Sequence, residues 1–118
     1  MKTTDVLAMA SQTVTANGTT QDLVVGGLIS LDIDVNITAF SGATNFKITI
    51  QRKGIDGVYY DITPTGVTNT FTGAGAYSVT LAAQNSASQG FGKNVRLSWT
   101  FTSPTSPSAT FSMSVIGK

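Results

Sequence analysis

The sequence predicts an all-β fold, an antiparallel β-sandwich of jelly-roll or immunoglobulin-like topology with about seven to nine strands. Three observations lead there. In residues 28–39, Ile29, Leu31, Ile33, Val35 and Ile37 alternate with Ser30, Asp32, Asp34, Asn36 and Thr38. Successive side chains of a strand point to opposite faces, so this alternation puts one face on a core and the other outward. A helix would scatter both sets around its circumference. The second observation is composition. All acidic residues are Asp, and charged residues make up only 11% of the chain, which leaves too few Glu, Lys and Arg to clothe helices. Third, turn signals recur at intervals of roughly ten residues, the rhythm of short paired strands.

Taken in order, Val6-Leu7-Ala8-Met9-Ala10 is an apolar cluster too short for a helix. Residues 1–12 therefore read as an N-terminal arm or edge strand, and residues 13–118 as a single sandwich domain. Chain ends are poorly ordered unless docked, which makes the arm a contact element with Val6, Leu7 and Met9 as its interaction residues. Asn17-Gly18 reads as a tight turn with positive φ at both central positions. Leu23-Val24-Val25 finishes a short strand, and Gly26-Gly27 breaks it before the 28–39 strand, which belongs at the centre of its sheet.

Phe40 to Asn45 reads as a loop. Phe46, Ile48 and Ile50 alternate with Lys47, Thr49 and Gln51 in the next strand, and Asp56-Gly57 is the hairpin turn that returns it through Val58–Ile62. Pro64 stops that strand because it cannot donate to a ladder. Thr65–Phe71 and Ala76–Ala82 read as two further strands, with Tyr77, Val79 and Leu81 sharing a face of the second. Asn85–Lys93 is a polar loop. Val95, Leu97, Trp99 and Phe101 line one face of the strand that follows. After the proline loop 103–108, Ala109, Phe111, Met113 and Val115 do the same in the last.

The inventory for chemistry is thin. With no His, Cys or Glu, general acid–base catalysis near neutral pH, zinc binding and thiolate chemistry lack their usual residues. No Ser stands in a nucleophile setting. The sequence reads as a non-enzyme without cofactor or metal. Asp32 and Asp34 are the one close carboxylate pair and the outside candidates for a calcium site or a glycosidase-like pair. Calcium wants six to eight oxygens, usually from a loop, so a solvated strand face paired with Lys47 or Arg96 is the favoured reading. Asp56 is a turn former first. Tyr59 and Tyr60 are adjacent, so one should point inward and one outward, where it could stack on a sugar or a partner chain. Trp99 belongs to the core. Arg52-Lys53 is a charged turn tip. A formal net charge of +1 gives no electrostatic footprint for nucleic acid. No apolar run is long enough for a membrane-spanning helix, and the start has no apolar signal region.

Ile48-Thr-Ile-Gln-Arg-Lys-Gly-Ile-Asp-Gly-Val-Tyr-Tyr-Asp61 is a strand, an Asp-Gly turn and an aromatic strand. Together with Gly92-Lys-Asn-Val-Arg-Leu-Ser-Trp-Thr100 and Thr105-Ser-Pro-Ser-Ala-Thr-Phe-Ser112, it resembles small all-β accessory proteins of tailed bacteriophage virions. The resemblance covers roughly residues 28–118 and marks strands and turns, with no catalytic site. It implies a capsid decoration (cement) protein, made in the host cytoplasm and sited on the capsid surface. Its partners would be the major capsid protein and copies of itself on the lattice. A tail or baseplate component and a carbohydrate-binding β-sandwich are the alternatives.

Overall fold

A computed structural model describes residues 3–82 and 91–118. Its strands are β1 (Thr4–Val14), β2 (Gly18–Thr19), β3 (Leu23–Val24), β4 (Ser30–Ser41), β5 (Asn45–Lys53), β6 (Tyr59–Asp61), β7 (Thr70–Phe71), β8 (Gly75–Ala82), β9 (Asn94–Thr102) and β10 (Ser108–Gly117). The alternating stretch became β4, an inner strand of a four-stranded sheet ordered β1-β10-β4-β8. The second sheet runs β2-β9-β5-β6, with β3 also on β9 and β7 also on β5. Every pairing is antiparallel. β2 and β3 follow one another along β9, from Gly18↔Trp99 to Val24↔Asn94. β6 and β7 do the same along β5, from Lys53↔Tyr59 to Phe46↔Phe71. Each couple works as one interrupted edge strand, so the described residues form two packed layers of four. The strand order is that of a jelly roll, which decides between the two expected topologies.

The core lies between the sheets. Leu31, Ile33, Val35 and Ile37 of β4 face Phe46, Ile48 and Ile50 of β5 and Val95, Leu97, Trp99 and Phe101 of β9. Tyr77, Val79 and Leu81 line the inner side of β8 as expected, and Ala109, Phe111, Met113 and Val115 that of β10. An aromatic cluster fills one end, with Phe46 5.0 Å from Phe101 and 5.4 Å from Phe111, centroid to centroid. Trp99 meets Phe111 edge-on at 5.3 Å. These separations suit offset and edge-to-face contacts.

Several expectations are corrected. Ile29 does not join the buried set. It precedes β4, is 61% exposed, and gives its N–H to the Lys118 carbonyl. Phe40 belongs to a strand rather than a loop. β4 carries one extra residue, Thr38, because Ile37 sits opposite Phe111 while Ala39 sits opposite Thr110. Such a bulge reverses the parity of everything beyond it. Phe40, which strict alternation would turn outward with Thr38, swings in against Phe46 and Phe101.

Asn17-Gly18 is not a hairpin turn. It carries the chain from β1 in one sheet to β2 in the other. Gly18 has no positive φ but is needed for space, because a Cβ there would sit 2.7 Å from the Trp99 ring. The strand expected from Thr65 shrinks to Thr70–Phe71, since Gly66 turns the chain at φ 87°. The Asp56-Gly57 hairpin forms as expected, with Gly57 at φ 82°. Most of the loop expected over 85–93 lies outside the described residues.

Candidate interaction surface

Across the middle of the four-stranded sheet the outward-facing side chains are short from one edge to the other, while Ile116 and Lys118 stand beside Asp32 toward one end of the face. Ala8 and Ala10 of β1, Ser112 and Ser114 of β10, Asn36 of β4 and Ser78 of β8 floor a shallow depression of about 510 Å³ that crosses all four strands. Asp32 and Asp34 lie on this face. Asp32 accepts a hydrogen bond from Thr80 Oγ1 at 2.8 Å and pairs with Lys118 Nζ at 3.6 Å. Asp34 accepts one from Ser78 Oγ at 2.6 Å. Lys47 and Arg96, the cations expected beside them, stand on β5 and β9 of the opposite sheet. Strand spacing alone could not show that these residues belong to different layers. Among the described residues, no three His, Cys, Asp or Glu side chains cluster closely enough to hold a metal ion.

β1 completes this sheet by running along β10. Val6, Leu7 and Met9 are half-buried against the core, so β1 presents Ala8 and Ala10 to the outside. Register slips between Asp5 and Leu7 and between Met9 and Gln12 break the regularity of its outer edge.

The outer face of the other sheet is built differently. Tyr59 donates its hydroxyl to Asp22 Oδ1 at 2.6 Å, and Lys53 Nζ pairs with the other oxygen of that carboxylate at 3.2 Å. The Arg96 guanidinium lies 3.4 Å from the centre of the Tyr59 ring while its Nε donates to Gln51 Oε1 at 2.7 Å. The bond from Tyr59, then the bond and charge of Lys53 and the charge of Arg96, hold the Asp22 carboxyl below the usual range. The same bond raises the Tyr59 hydroxyl, with some help from burial. Tyr60 is 40% exposed and donates to Asp56 Oδ2 at 2.6 Å. This raises Tyr60 and, with the Val58 N–H on Oδ1, lowers Asp56.

The two tyrosines take opposite faces of β6 as expected, but the inward one, Tyr60, lies at the rim and is not buried in the core. Tyr59 shares the outer face with its register partner Lys53, and Tyr60 sits opposite Arg52 beyond the last core residue of β5. Trp99 is a core residue as expected, 7% exposed, with its indole N–H on the Ala16 carbonyl at 3.1 Å. Asp22 is the participant that the sequence hid. It sits in a loop of polar residues with no period to mark it, and nothing local tells that its partners come from β5, β6 and β9.

No protein-family model matches the sequence, and no curated protein sequence is significantly similar to it. Three solved structures show what the chain is similar to in shape. One is the K3 cleaved adhesin domain of Lys-gingipain from Porphyromonas gingivalis W83, with 12% identity over 86% of this chain and 63% of that one, at a TM-score of 0.44. Another is a structure of infectious bursal disease virus, Gx strain, with 11% identity over 98% of this chain and 30% of that one, at 0.47. A third is the CBM22-1 xylan-binding domain of Paenibacillus barcinonensis Xyn10C, with 12% identity, 97% and 94% coverage, and 0.41. The chain spans less than two thirds of the first two. Likenesses this distant carry no information on partner or ligand.

Proposed function

We propose that this chain is a structural protein of a tailed-phage virion, a decoration protein that binds the outside of the capsid and stabilises it by bridging subunits. The observation that carries the proposal is the short-side-chain face of the four-stranded sheet. Ala, Ser, Asn and Asp lose little rotamer freedom when covered, so a protein surface can close over this face at small entropic cost. On the opposite face Tyr59, Asp22, Lys53 and Arg96 are engaged with one another. Repetition on a lattice adds avidity, so each contact can be weak. Jelly rolls serve both shells and lectins, so the fold itself does not choose. Against a sugar site, one face of the Tyr59 ring is taken by Arg96, and the Tyr60 hydroxyl is tied to Asp56.

Dissociating the protein from particles, or deleting it, is the test. Particles without it should lose resistance to heat, chelator and osmotic shock. Unchanged resistance sinks the decoration reading, and loss of tails or adsorption instead assigns the chain to the tail. Glycan binding by the isolated protein that requires Tyr59 or Tyr60 would assign it to carbohydrate recognition.

A further inference from the structure

An edge strand exposes unpaired N–H and C=O groups, and soluble β-proteins blunt such edges with bulges, charges, prolines or brevity. Three of the four edges here are blunted. β1 slips register twice. β2 and β3 are two-residue pieces interrupted by Thr20–Asp22. β6 and β7 are three and two residues long, and Pro64 falls between them. The fourth edge, β8, is eight residues long and pairs with β4 in unbroken register from Ser30↔Ala82 to Ile37↔Gly75. It contains no charge and no proline. Among the described residues, no backbone group bonds to its outer side.

We propose that β8 is a self-pairing edge: two copies of this chain join antiparallel along it about a two-fold axis and fuse their four-stranded sheets into one. An open backbone edge is matched by another extended backbone, and the side chains of β8 suit β8 itself. With Val79 on the axis, Tyr77 faces the partner's Leu81 on the core side, and Ser78 faces the partner's Thr80 on the outer side. The first is an aromatic–aliphatic pair, favourable across antiparallel strands, and the second sets two short side chains opposite one another. Ser78 and Thr80 donate to Asp34 and Asp32, which draws their hydroxyls toward β4 and away from the edge. The carboxylates do not oppose the union. Three strand spacings, roughly 14 Å, separate them from their counterparts, beyond the Debye length of about 8 Å at physiological salt.

The full-length chain is tested in solution by sedimentation velocity and light scattering over a dilution series, with hydrogen exchange read on β8. A reversible dimer is expected, with the β8 amides that point away from β4 becoming protected as concentration rises. Ser78→Lys with Thr80→Lys places lysines directly opposite one another across the axis while setting each beside Asp34 or Asp32 of its own chain. The dimer should be lost and the monomer should keep its melting temperature. If this variant fails to fold, the wild-type exchange pattern decides alone. A wild type that stays monomeric at millimolar concentration, protection at β1 instead of β8, or a dimer that survives the lysines overturns the proposal. It stands apart from the virion reading, because dimerisation through β8 is measured without particles.

Discussion

The two sheets of this sandwich satisfy their backbones by different means. The four-stranded sheet does so with long ladders: β10 runs against β4 from Ser108↔Ser41 to Gly117↔Leu31, and β4 runs against β8 along the whole of the latter. At the broken edges of the other sheet, side chains take the place of missing strand. Asn17 Oδ1 accepts from the Phe101 N–H, Thr20 Oγ1 from Leu97 and Thr63 Oγ1 from Ile50, while Asn69 Nδ2 donates to the Ile48 carbonyl. A buried N–H must find an acceptor, and where the edge strand breaks a short polar side chain supplies it. The lesson is a division of labour. One sheet closes its backbone mainly through its ladders and leaves most of its outward face open to be covered, whereas the other closes its broken edges with side chains and tolerates little change there.

The sharpest way to break this contrast is at Gly18. Gly18→Ala drives a methyl into the Trp99 ring, which is pinned by its bond to Ala16, and should cost about 2–3 kcal/mol by denaturant unfolding. A loss below about 0.5 kcal/mol would show that the edge yields easily.

The next effect is at Tyr77, whose hydroxyl is buried with no hydrogen-bond partner among the described residues. Tyr77→Phe removes an unsatisfied group and should stabilise the protein by about 1 kcal/mol. Burial, with the charge of Asp61 adding, pushes the Tyr77 hydroxyl up to about 12. An unfolded tyrosine titrates near 10. The folded state therefore holds this proton more tightly than the unfolded state. Stability is unaffected by it below about pH 10 and falls by up to roughly 1.4 kcal/mol per pH unit above that, until about pH 12. Alkaline unfolding curves should show this decline in the wild type and less of it in Tyr77→Phe.

The smallest effect on the free chain is expected on the open face. Ser112→Lys should change stability by less than about 0.5 kcal/mol, because it adds a solvated side chain to a ladder that does not use the Ser112 hydroxyl. The same variant should bind particles at least tenfold more weakly. Unchanged binding would move the contact to another surface.

Periodicity made the inward sets of β4, β5, β8, β9 and β10 legible, since a two-residue repeat is written directly in residue type. Layer assignment was not legible. Asp32 was expected beside Lys47 or Arg96, whereas its hydrogen-bond partner Thr80 lies on the neighbouring strand of its own sheet. Phe40 escaped because a bulge changes parity without changing composition. The outer surfaces were the least readable part. Asp22 and Tyr59 meet across a long sequence separation, and the open face is marked only by the smallness of its residues.

The jelly-roll order has a kinetic consequence. β10 lies between β1 and β4 and is what joins β1 to the rest of the sheet. Residues 4–14 and 30–41 therefore cannot find each other's sheet until residues 108–117 are present to be inserted between them. Contacts this distant in sequence must close large loops before any ladder rewards them, so folding should be slow and late. Until then the apolar stripe of Leu31, Ile33, Val35 and Ile37 has only β8 to pair with, and a nascent chain is most prone to aggregate there.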